Sequence, residues 1–160
     1  EGEFAPPGGK NLAPRQFERR WRGGRPKDED LATMAAEYRA RFPDKPLICN
    51  FETAAWAWVC TGGSLPRLPT TTDAGLLAAI PRMRPCRASA EEGRWLLRES
   101  GKQILAYLGS NSALDLSGEN GSFQMNVIDP STGEVTPGKR LTAGGLVSLT
   151  DVKVAWLRKE

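Results

Sequence analysis

The sequence contains no histidine, and this absence narrows its chemistry more than any residue present. Without imidazole there is no Ser-His-Asp triad, no Cys-His dyad and no histidine metal site. Catalysis would have to fall to carboxylates, lysine, tyrosine or cysteine. Cysteine is scarce as well. Cys49, Cys60 and Cys86 are too few for a disulfide framework, and their odd number leaves at least one unpaired within the chain. No CxxC spacing points to zinc. No apolar run is long enough to span a bilayer, so no membrane partner is expected. Nucleotide-binding patterns are missing too. Gly8-Gly9-Lys10 lacks the preceding strand, the spacing and the Ser/Thr of a P-loop, and reads as a turn. Neither a cofactor nor a metal is expected. The chain begins at Glu1 without a signal peptide, so it reads as processed or truncated.

What is present describes a globular chain of 160 residues, 39% hydrophobic and 26% charged, with a net charge of +3. Arg15, Arg19, Arg20, Arg22 and Arg25 make the N-terminal stretch locally basic. No aromatic interleaving or nucleic-acid motif accompanies them, so a solvated or partner-facing surface is expected and no nucleic acid.

Residues 1–27 are rich in Pro, Gly and Arg and read as a long loop with one short helix near Arg15 to Trp21. The segment "KDEDLATMAAEYRARFPDKP" then predicts a helix. Asp28 is placed to cap it, Glu29 and Asp30 complement its dipole, and Pro43 stops it. Leu31, Met34, Ala35, Tyr38 and Phe42 fall at helical spacing and predict a core-facing stripe. "PLICNF" reads as a short buried strand, and "AWAWVCTGG" as a second buried strand ending in a glycine turn. "TTTDAGLLAAIPRM" predicts another helix, capped by Thr72 or Asp73, with Leu76, Leu77 and Ile80 inward. Helix and buried strand in this order suggest parallel βαβ organisation.

After about Arg87 the character changes. "RWLLRES-GK-QILAYL" predicts a hairpin, and "ALDLS", "SFQMNVI", "EVTP", "GLVSLT" and "VKVAWLRK" read as short strands. They are separated by the turn-forming "GENG", "DPSTG" and "PGK". Regular short strands without intervening helices predict an antiparallel β-sandwich.

Tyr107-Leu108, Leu114 to Ser117, Asp129 to Glu134 and Val154 to Leu157 follow one another in an order and spacing that carry a family resemblance. The stretch from Arg94 to Lys159 resembles the C-terminal β-sandwich, named as a collagen-binding domain, that is appended to certain glycoside hydrolases. Ile128 departs from the aromatic residue often found there. In that family a (β/α)₈ barrel precedes the sandwich, and "KPLICNFE" resembles its seventh strand, which ends in the nucleophilic glutamate. The fold expected from this resemblance is α/β, a partial (β/α) barrel segment, followed by a small antiparallel β-sandwich. Residues 1–86 would be the C-terminal portion of the barrel-like catalytic domain, and 87–160 the accessory sandwich.

The resemblance also implies an activity. The chain would be part of a carbohydrate-active hydrolase that cleaves glycosidic bonds by carboxylate chemistry, with Glu52 as nucleophile and an oligo- or polysaccharide as substrate. Trp56 and Trp58 would then be substrate-binding residues, since a flat ring stacks on the apolar face of a sugar. As neighbours two apart on a strand they would equally fill a core, and the core reading leads. For Glu52 the competing reading is a loop carboxylate paired with an arginine. A whole barrel takes about 250 residues. The acid/base carboxylate would therefore lie partly or wholly outside this chain, with another chain supplying the rest of the barrel. Glu1 and Glu3 are further candidates, though carboxylates so placed are usually solvated. Such hydrolases are exported, so a secreted or periplasmic location is expected. The alternative is a non-catalytic carbohydrate- or protein-binding or structural module.

Overall fold

The computed structural model describes residues 27–48, 55–86, 94–109 and 113–160. Glu1, Glu3, Cys49, Glu52 and the short helix expected near Arg15 to Trp21 lie outside the described residues.

The first helix, α1, spans Asp28–Arg41. Its cap is one residue earlier than the sequence suggested. Lys27 donates its backbone N–H to the Asp30 carboxylate at 2.9 Å, while the Asp28 carboxylate accepts the Tyr107 hydroxyl from the sheet. Leu31, Ala32 and Ala35 form the buried stripe; Phe42, expected on it, is exposed because the helix ends before it.

The run expected as a second strand is a helix, α2, over Ala55–Cys60. The W-A-W alternation looks like a strand, but a helix that is apolar all round is buried all round, and periodicity cannot separate the two in so short a run. From Trp56 to Cys60 every residue is buried. The following Thr-Gly-Gly is a helix stop. Gly62 adopts φ +87°, its N–H reaches Val59 O at 3.0 Å, and Gly63 N–H reaches Trp58 O at 2.9 Å. This is the left-handed glycine termination that satisfies the last carbonyls of a helix.

Helix α3 spans Ala74–Ala79 and runs into a single 3₁₀ turn at Ile80–Arg82. Asp73 caps it as expected, accepting the Leu76 N–H at 2.8 Å. Leu76 faces the core, whereas Leu77 points outward.

Eight strands follow: β1 Arg84–Cys86, β2 Trp95–Glu99, β3 Gln103–Tyr107, β4 Ala113–Asp115, β5 Ser122–Ile128, β6 Val135–Thr142, β7 Leu146–Ser148 and β8 Val154–Lys159. Six form one antiparallel sheet in the order β1-β2-β3-β8-β5-β6, and β4 pairs with β7 in a second. The fold is thus mostly antiparallel sheet with a few short helices, a small β-sandwich. The closing strand β8 inserts between β3 and β5, so the chain's last residues sit at the centre of the large sheet. The edge strand β6 carries Pro137, Lys139 and Arg140, residues that discourage further pairing. Strand β1 begins at Arg84 and pairs with β2, so the large sheet starts before the boundary expected at residue 87.

Both faces of the large sheet are covered, which explains why "WLL", "QILAYL" and "VAWL" read as continuous apolar runs. One face, with Trp95, Leu97, Leu105, Ile128, Val154 and Trp156, packs on α2 and α3. The other, with Ile104, Phe123, Met125 and Leu157, packs on Leu114 of the small sheet and on Leu116 just after it. A third, smaller cluster joins Leu31, Ala35, Leu47 and Trp58. Within the described residues the only parallel pairing is a bridge between Ile48 and Ser64, and no barrel segment is seen. No helix among them is long and apolar enough to cross a membrane.

Candidate functional site

Two residues on a helix separated by one position point about 200° apart, and this separates the two tryptophans. Trp56 faces the large sheet, where its indole N–H donates to Pro130 O at 2.9 Å. Trp58 faces α1, and its N–H reaches Ser64 O at 3.3 Å. Each is only 3% exposed. Their placement is that of core residues with satisfied polar tips, not that of a stacking platform.

Trp56 meets the "DPSTG" turn. Asp129 shapes that turn by accepting the backbone N–H groups of Ser131 at 2.7 Å and Thr132 at 3.0 Å. These bonds to the carboxylate, Thr132 first, hold the Asp129 pKa below its ordinary value. Gly133, at φ +73°, lies so close to Thr72 that a Cβ there would fall 2.9 Å from Thr72 Cα. The Thr71 hydroxyl donates to Thr132 O. A motif that reads as a good turn is therefore also the peg that seats the sandwich on the helical layer.

Arg39 holds the other side of α2. Nε and Nη2 donate to Gly62 O at 3.2 and 2.7 Å, and Nη2 also reaches Ser64 Oγ at 3.3 Å. Nη1 donates to Pro43 O at 2.7 Å and Lys45 O at 3.0 Å. One guanidinium thus ties the end of α1, the turn after it and the glycine stop of α2. Ser64 N–H donates to Leu47 O at 2.7 Å, which makes the parallel bridge.

Around these glycines opens a groove of about 850 Å³. Its walls come from Leu65, Leu68, Leu77, Ile80 and Met83, with Pro66, Pro69, Pro81 and Pro85 between them. Arg39 and Arg84 also line it, and no carboxylate does among the described residues. Three described acids are engaged elsewhere. Glu99 contacts Lys102 Nζ at 2.7 Å and Gln103 Nε2 at 2.7 Å, which lower its pKa in that order. Asp115 accepts the Ser117 N–H at 2.8 Å, with the same effect. Glu119 lies 3.2 Å from Arg98.

Cys60 is poorly placed to act as a nucleophile. Cys60 is fully enclosed between helix and sheet, and burial pushes its thiol pKa well above the ordinary range. No group of three or more Cys, Asp or Glu positioned to hold a metal occurs among the described residues. Glu52, the catalytic candidate, lies outside them. The chain leaves the described residues at Ile48, the bridged residue, and re-enters them at the start of α2. Sequence reasoning missed the groove and Arg39. The Thr-Gly-Gly stop after an apolar run was the signal that could have revealed α2 as a helix, and with it the groove it helps wall.

No curated protein and no solved structure matches the chain. A family match does cover residues 1–83, ending one residue before β1 begins. With the match spanning the helical layer and the segment that carries Glu52, the chain belongs to the family described as "Domain of unknown function (DUF6298)".

Proposed function

We propose that this chain is the C-terminal segment of a carbohydrate-active hydrolase, part barrel and part accessory sandwich, with Glu52 as its nucleophile. The observation that supports the reading is a single parallel bridge between Ile48 and Ser64 with helix α2 between them. The repeating unit of a (β/α) barrel would pair two parallel strands across a helix in this order, with active residues at the C-terminal ends of the strands. Glu52 follows Ile48 by four positions. In a retaining mechanism such a carboxylate attacks the anomeric carbon while a second carboxyl group protonates the leaving oxygen, the two standing about 5–5.5 Å apart. The second group would lie partly or wholly outside this chain, the enzyme would be secreted or periplasmic, and the substrate would be an oligo- or polysaccharide.

The decisive experiment is Glu52→Gln in the complete assembly, assayed on an activated aryl glycoside. Turnover is expected to fall by about a thousandfold or more, with sugar binding retained. Unchanged turnover removes Glu52 from the mechanism. A second reading, a non-catalytic binding or structural module, is favoured by the absence of any carboxylate from the described lining of the groove. It expects Glu52→Gln to be silent and the chain to bind polysaccharide or protein without hydrolysis.

A further inference from the structure

We infer that the groove beside Gly62-Gly63 is a docking site for an acidic, apolar segment of a partner polypeptide. The inference is independent of Glu52 and starts from Leu65. This side chain is 70% exposed, and its backbone sits at φ +48°, in the left-handed region that a leucine rarely adopts. Neither burial nor backbone preference accounts for an apolar residue held this way, and such local strain gathers at binding sites. Leu77, on the same groove, is 45% exposed although its helix is otherwise placed to bury leucine. Two large, exposed apolar residues lining one apolar groove are the kind of feature that marks an interaction surface.

Charge selects the occupant. Arg39 and Arg84 line the groove without any carboxylate among its described residues. Every donor of Arg39 is turned to a carbonyl or to Ser64, so it contributes field and not reach. Arg84 commits only Nη1, to Pro81 O at 3.0 Å and Met83 O at 3.1 Å. Its Nε and Nη2 form no hydrogen bond among the described residues, which leaves one edge of the fork for a carboxylate. The chain's own N-terminal stretch does not complement this surface. Lys10, Arg15, Arg19, Arg20, Arg22 and Arg25 outnumber Glu1, Glu3 and Glu18 there. A second copy would bring the same arginines face to face. With Leu65 and Leu77 both exposed along a groove of about 850 Å³, an apolar peptide segment can cover the two leucines while its acid pairs with Arg84.

The test uses the whole chain, isotopically labelled, titrated with two end-blocked peptides, LEVELG and LKVKLG, and followed through the amide resonances of Leu65, Leu77 and Arg84. The acidic peptide is expected to give saturable shifts and to bind at least about tenfold more tightly than the lysine peptide. Arg84→Glu should reverse that preference. Leu65→Gly should weaken binding about threefold or more while leaving the thermal midpoint unchanged or raised, since glycine accepts the left-handed backbone. The inference is overturned by equal binding of the two peptides, by no saturable shift up to about millimolar peptide, or by an unaltered preference in Arg84→Glu. It is also overturned if an anionic dye such as anilinonaphthalene sulfonate saturates the groove while neither peptide does, or if the chain self-associates through this face.

Discussion

The two faces of the large sheet are covered by different kinds of partner. The face carrying Phe123 and Leu157 packs on the small sheet and its flanking residues, nearly all from the last part of the sequence. The face carrying Leu105 and Trp156 packs on helices from the part covered by the family match. The first face finds most of its cover within residues 94–160. The second exists only while the helical layer is present. Three of the five tryptophans, Trp56, Trp95 and Trp156, gather on that second face, so it relies on large rings that have no substitute cover.

The largest effect should come from removing one cover altogether. A chain starting at Arg84 exposes Trp95, Leu97, Leu105 and Trp156 together. It is expected to lose cooperative thermal unfolding and to bind a hydrophobic dye; a sharp transition like that of the whole chain would show that the second face can stand uncovered. Next, Leu105→Ala and Phe123→Ala truncate one fully buried residue on each face. Each should cost about 2–5 kcal/mol in urea unfolding. If the faces are separate cores, the double variant should be additive within about 0.5 kcal/mol; a larger discrepancy means that the sheet couples them.

Gly133→Ala places a methyl group against Thr72 at a left-handed position, and about 2 kcal/mol of destabilisation is expected from the forced displacement. Trp56→Phe removes the bond to Pro130 and leaves a void where the five-membered ring stood, for a loss of about 2 kcal/mol. The smallest effect is on pH. The Asp129 carboxylate is depressed in the folded chain, so its contribution is present above the unfolded carboxylate value of about 4 and is lost as pH falls through the lower folded value. Asp129→Asn should flatten the stability profile in that acid range and lower its level near neutrality, where the ionised carboxylate contributes in full.

The sandwich was largely legible because its signals are local. Turn residues at "GENG" and "DPSTG" mark the strand ends, and apolar runs such as "VAWL" mark strands with no wet face. The helix at α1 and the Asp73 cap were legible for the same reason. The helix at α2 was not, because a six-residue run that is apolar on every side has no period to read. The second role of the Asp129 turn was hidden for a different reason: Pro130 and Trp56 are 74 residues apart, and nothing near either one announces the other. The groove was hidden too, since it is built from the stop of one helix, the flank of another and the first strand. The Glu52→Gln assay tests directly whether Glu52 acts on a sugar.

A sheet with no wet side also constrains how such a protein can be rearranged over evolutionary time. The sandwich cannot travel between genes as a free cassette. A recombination event that carries it must bring the Trp56 helix along or supply another lid of matching shape, and the lineage is expected to inherit the two as one unit.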